Sequence, residues 1–124
     1  MALHMALEQV TPEPASLSGV RRFVRRALED APEVDPDTAV LLANELATNV
    51  VLHGRTAYDV SVEVADSAVR VLVHDENPRL PVTLDPIGES SNGHGLHLVA
   101  RGSSRWGVEK LPSGKTVWFE ISRH

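Results

Sequence analysis

The chain has 124 residues, 42% of them hydrophobic, with a formal net charge of -5 and no cysteine. That is enough for one hydrophobic core but not two, and the acidic balance argues against general nucleic-acid affinity. A disulfide framework and thiolate metal sites are excluded, and no stretch approaches the ~18 apolar residues a membrane-spanning helix needs.

Residues 1–15 are weakly patterned, with Pro12 and Pro14 near their end and no basic, apolar leader at the start. Ala6–Val10 reads as a short edge strand, and 16–122 as a single domain. A first helix is expected from Ser16 or Leu17 to Glu29, with Leu17, Val20, Val24, Ala27 and Leu28 as its apolar stripe. Arg21, Arg22, Arg25 and Arg26 occupy much of the rest. They are either a solvated face or a docking surface for an acidic partner. Ala31-Pro32-Glu33-Val34 links to a second helix, which Asp35 caps and Pro36 begins. This helix should run to about Leu52, with Gly54 as the glycine just past its end.

Its second half carries chemistry. Glu45, Asn49 and His53 recur every four residues and share one face, beside Thr48, while Leu42, Ala43, Leu46, Ala47 and Val50 fall largely opposite. An amide oxygen can coordinate a hard cation, and a carboxylate one turn away can orient or deprotonate a nucleophile.

The periodicity then changes from 3.6 to 2. Val60, Val62 and Val64 alternate with polar residues, Asp66-Ser67 turns the chain, and Val69, Val71 and Val73 alternate on the return, which predicts a hairpin. Asp75 continues the valine parity, so its carboxylate points to the buried face and needs a partner. Such a group suits an exocyclic amine like that of adenine, or it caps the turn at Asn77-Pro78. Residues 75–95 hold three prolines and three glycines and read as a long loop. Gly93-His94-Gly95 leads into a third helix near Gly95–Arg101, where backbone N–H groups favour an anion. A last hairpin is expected over 104–111 and 116–121, turning at Pro112-Ser113-Gly114. The six histidines lack zinc-ligand spacing. Helices early and antiparallel strands late predict an α+β, two-layer sandwich.

Taken in order, these pieces resemble the GHKL (Bergerat-type) ATP-binding domain, and within it stand-alone anti-sigma factor serine/threonine kinases of actinobacterial type. Glu45-Leu-Ala-Thr-Asn49-Val-Val-Leu-His53-Gly54 is similar to the family's N box, Asp75-Glu-Asn77-Pro78 to the G1 box, Gly93-His94-Gly95-Leu96-His-Leu-Val99 to the G2 box, and Gly114-Lys-Thr116-Val-Trp-Phe-Glu120 to the closing strand. The resemblance implies a mixed, mostly antiparallel sheet with helices on one face. It implies ATP and Mg as cofactors, Glu45 as general base and Asn49 as the Mg ligand. Asp75 would read adenine, with Asn77, His53, Leu96 and Thr116 completing the pocket. Gly93, His94 and Gly95 would cradle phosphate under a lid from 79–92. It further implies a cytoplasmic regulator that phosphorylates an anti-anti-sigma-type antagonist and binds a sigma factor, a homodimer, and neither nucleic acid nor membrane as partner. One departure stands out: Asp85 to Asn92 contains two acids and no Arg or Lys.

Overall fold

The computed structural model describes residues 4–77 and 94–123. Five strands form one open sheet in the order β1-β2-β3-β5-β4, and every neighbouring pair is antiparallel. The expected mixed sheet is therefore a purely antiparallel one among the described residues. Its two hairpins, β2–β3 and β4–β5, meet side by side through β3 and β5, so no parallel crossover is needed.

β1 (His4–Val10) pairs along its whole length with β2 (Tyr58–Val64). The early edge-strand segment is thus a full ladder partner. β3 (Ala68–Asp75) returns from a turn closed by the Ala65 N–H donating to Ala68 O at 3.0 Å. β4 (Arg105–Leu111) and β5 (Gly114–Ser122) join through Pro112 and Ser113 alone, with Gly114 already paired to Leu111. Period-2 valines produce these strands because alternate side chains leave opposite faces. Val60, Val62, Val64, Val69, Val71, Val73, Val117 and Phe119 are all buried on one face.

Helices α1 (Leu17–Ala27), α2 (Pro36–Asn49) and α3 (His94–Gly102) cover that face. α1 contacts β1 and β2, α2 contacts β3, and α3 contacts β4. α1 ends in a 3-10 turn over Leu28–Asp30, which tightens the last turn expected as α-helix. The cap at Asp35 is realised fully: its carboxylate accepts from the Asp37 N–H at 3.2 Å and the Thr38 hydroxyl at 2.9 Å. Satisfying the helix-start N–H of Asp37 contributes about 1 kcal/mol. Ala39, Val40, Leu42, Ala43, Leu46 and Ala47 then bury along α2, against Val20 and Val24 of α1.

α2 does not end as expected. Val50–Gly54 form a π-helical turn, and the left-handed residue that closes it is Arg55 (φ 55°), not Gly54. The Arg55 N–H reaches back five residues to Val50 O at 2.7 Å. The wider turn adds a residue before the chain can reverse, which moves the reversal point one position on.

Candidate nucleotide site

α2 packs against β3 among the elements that cover the sheet. Glu45 and Asn49 lie half-buried on α2, beyond the apolar positions that hold the helix down. His53 sits in the π turn, a helix irregularity that recurs at functional sites. Asp75 ends β3 and is 1% exposed.

Among the described residues, four buried side-chain polar atoms have no hydrogen-bond partner: Asn49 Oδ1, His53 Nε2, Asp75 Oδ2 and Arg123 Nε. The first three come from the two stretches singled out as chemical in the sequence. Leaving a buried polar atom unpaired costs about 1–3 kcal/mol, so each of these atoms is a candidate contact for a bound group.

The other carboxylate oxygen of Asp75 is fully engaged. Oδ1 accepts from the Asn77 N–H at 2.8 Å and from Lys115 Nζ at 3.0 Å. Lys115 is itself 5% exposed and also donates to Asn77 O at 2.9 Å. Both expectations for Asp75, that it points inward and that it closes the Asn77 turn, hold in one geometry. Lys115 is the residue the sequence reading missed. Parity would have found it: it lies in phase with Val117 and Phe119 on the buried face and directly opposite Asp75 in the ladder.

The same register corrects the place of Thr116. Thr116 stands opposite His74, and its Oγ1 lies 3.1 Å from His74 Nδ1 on the other face of the sheet. Adjacent strand residues face opposite sides, so Thr116 and Asp75 do not share a pocket. On its other flank Asp75 is opposite Tyr58, which is buried and whose hydroxyl lies 3.4 Å from Ser16 Oγ. Burial raises the Tyr58 phenol above its ordinary value, the Ser16 hydroxyl partly offsets this, and Glu8 adds to the rise.

Gly114 fixes the junction. A Cβ there would lie 2.1 Å from the Asp75 carbonyl oxygen, so only glycine allows β5 to pass so close to the end of β3. The sequence marked it as a turn residue. Its actual task is close approach. His94, Gly95 and Leu96 fall in the first turn of α3, while Gly93 and the lid 79–92 lie outside the described residues. No group of three or more His, Cys, Asp or Glu converges as a metal site among the described residues. No described helix is long and apolar enough to cross a membrane.

Of the arginines of α1, Arg25 pairs with Asp37 at 2.8 Å and Arg21 donates to Asn44 at 2.9 Å. Arg22, Arg25 and Arg26 line a separate groove of about 730 Å³ with Phe23, Leu28 and the acids Glu8 and Glu29. Neither Glu45, Asn49, His53 nor Asp75 borders it.

An open antiparallel sheet with helices on one face is an α+β architecture of the GHKL type. Residues 10–121 match the family model described as "Histidine kinase-like ATPase domain", and the chain belongs to that family. No curated protein matches the chain. Of solved structures, the RsbU and RsbW domains of Rv1364c from Mycobacterium tuberculosis are similar at a TM-score of 0.71 and 19% identity. That match covers 95% of this chain and 32% of the mycobacterial one, so this chain spans about a third of its length. The Acinetobacter baumannii histidine kinase AdeS is similar at a TM-score of 0.56 and 16% identity, over 100% of this chain and 70% of that one.

Proposed function

We propose that this domain binds Mg-ATP and acts as an anti-sigma-factor-like serine/threonine protein kinase. In this reading it phosphorylates an anti-anti-sigma-type antagonist and holds a sigma factor when that antagonist is absent. A cytoplasmic location and a homodimer belong to the same proposal. One observation carries it: Asn49 Oδ1, His53 Nε2 and Asp75 Oδ2 are buried and unpartnered on the two stretches that resemble the family's N and G1 boxes.

These atoms fit the ligand. Asp75 Oδ2 is an acceptor for the adenine amino group, Asn49 Oδ1 is a hard oxygen for Mg²⁺, and His53 Nε2 is a polar neighbour for phosphate or cation-bound water. When bound, Mg-ATP supplies the transferable phosphoryl group. Glu45, one turn before Asn49, orients the accepting hydroxyl and takes its proton, a role worth typically ~10²–10⁴-fold in rate. The RsbW domain in the mycobacterial neighbour supports the regulatory side of the reading. The test is transfer of labelled phosphate from ATP to a cognate antagonist. Glu45→Gln should retain ATP binding and lose transfer by at least ~10²-fold. Equal transfer by both proteins would reject Glu45 as the base.

A second reading is a nucleotide-dependent binding module without catalysis. Phosphoryl transfer needs cations at the γ-phosphate. The stretch Asp85 to Asn92 offers none, and Lys115 is committed to Asp75 and Asn77. This reading predicts partner affinity that responds to ATP without turnover.

A further inference from the structure

Among the described residues four large hydrophobic side chains stand exposed: Leu7, Leu41, Leu52 and Leu98. Two of them flank Glu45. Leu41 lies one turn before it on α2, at 48% exposure, and Leu52 about two turns after it in the π turn, at 49%. Leu41, Glu45, Thr48 and Leu52 follow an i, i+4, i+7, i+11 series, so they form one strip of helix surface. α2 leaves this strip outside while Leu42, Ala43, Leu46 and Ala47 go to the core. Lysine or glutamine would serve the helix as well as leucine does, without leaving apolar surface in water.

The spacing of the strip suits a peptide segment. At 1.5 Å per residue, Leu41 lies about 6 Å to one side of Glu45 along the helix axis and Leu52 about 10 Å to the other. An extended chain laid along the strip advances about 3.3 Å per residue. With its hydroxyl at Glu45, such a chain brings a residue about two positions away to Leu41, and one about three or four positions away on the other side to Leu52. We propose that Leu41 and Leu52 are specificity-determining residues for the phosphoryl acceptor: they select a serine or threonine flanked at those distances by large apolar residues. The charge on the strip is the Glu45 carboxylate, which disfavours acids beside the acceptor hydroxyl. The inference rests on the kinase reading of Glu45 given above. Neither leucine takes part in the chemistry; each acts by burying a flank of the acceptor.

The probe is a set of alanine-based peptides with one serine each, carrying leucine at single and paired positions on either flank, presented to the intact chain with labelled ATP. The peptide with both leucines at the expected distances should show a kcat/KM about twentyfold or more above the all-alanine peptide. Burying the exposed half of each leucine against a partner contributes about fivefold, and sites this far apart add. In Leu41→Ser and in Leu52→Ser the preference for leucine on the matching flank should fall about fivefold, through KM with kcat held. Both positions are exposed, so serine there leaves the fold intact, which circular dichroism verifies, and calorimetric ATP binding should match the parent. A parent protein indifferent to flanking leucine, or a preference unchanged in both variants, would overturn the proposal. Label in none of the peptides would overturn it as well. In that case label in a cognate antagonist would leave the kinase reading standing, and label in neither would reject that reading.

Discussion

Replacing Gly114 by alanine puts a Cβ 2.1 Å from the Asp75 carbonyl oxygen and 3.1 Å from both the Asp75 carbonyl carbon and the Glu76 Cα. Non-bonded carbon and oxygen do not approach below about 3 Å, so the strands must part by about 1 Å at this point. The obstacle is main chain on both sides, and no side chain can rotate away to relieve it. Overpacking of this kind costs about 1–3 kcal/mol. The displacement also pulls Lys115, the next residue, off Asp75, and breaking a buried ion pair costs about 3–5 kcal/mol when complete. Partial loss of the pair on top of the clash gives about 3 kcal/mol in total. With an unfolding entropy of about 2.1 cal/mol/K per residue over 124 residues, that lowers Tm by about 10 °C. Urea unfolding followed by circular dichroism measures it, with the slope m unchanged. Gly19→Ala is the matched control. Gly19 lies inside α1 with nothing within 4 Å of its would-be Cβ, so alanine should stabilise by about 0.5–1 kcal/mol. A Gly114→Ala protein within about 0.5 kcal/mol of the parent would refute the close-approach argument, since that is the range of an unremarkable surface change.

Other substitutions bear on neighbouring features. Asp75→Asn leaves buried Lys115 without its countercharge and should cost about 3 kcal/mol in urea, so its nucleotide titration must be run where the variant is shown to be folded. Arg55→Gly relieves a non-glycine residue at φ 55° and should raise the urea midpoint by about 0.5–1 kcal/mol equivalent, despite the added freedom of the unfolded chain. Tyr58 is the chain's only tyrosine, so phenolate absorbance reports it alone. Burial raises its pKa above 10.0 in the folded state, so the unfolded chain ionises first. Its contribution is present below about pH 10 and lost as pH climbs through the folded value. Stability should fall above pH 10 more steeply in the parent than in Tyr58→Phe.

Much of this molecule was legible from periodicity. The valines at 60, 62, 64, 69, 71 and 73 dictate two strands and a buried face, and Asp35-Pro36 dictates where α2 begins. Helical phase put Glu45 and Asn49 on one face of α2 and strand phase turned Asp75 inward, while their assignment to one site came from the family resemblance. Three features were not legible. The π turn at Val50–Gly54 leaves no compositional trace, because its residues suit an α-helix equally well, and so Gly54 drew the helix end away from Arg55. The sheet's single hand of pairing depended on where β5 docks, a contact between distant segments. Lys115 was hidden by its company: Gly-Lys-Thr beside a turn reads as solvent-facing, and a lysine is rarely placed indoors unless something there pays for its charge.

The ion pair between Asp75 and Lys115 spans 40 residues of sequence, and the segment between them includes α3 and β4. Closing so long a stretch carries an entropic toll that the local hairpins β2–β3 and β4–β5 do not face. Each hairpin can form early from its own turn, while their union at β3–β5 waits for a search through three-dimensional space. The one-sided carboxylate therefore exists only once the two hairpins have met. If Asp75 reads the base as proposed, a chain still assembling has no such contact, and a nucleotide would hold finished molecules in the folded state by mass action.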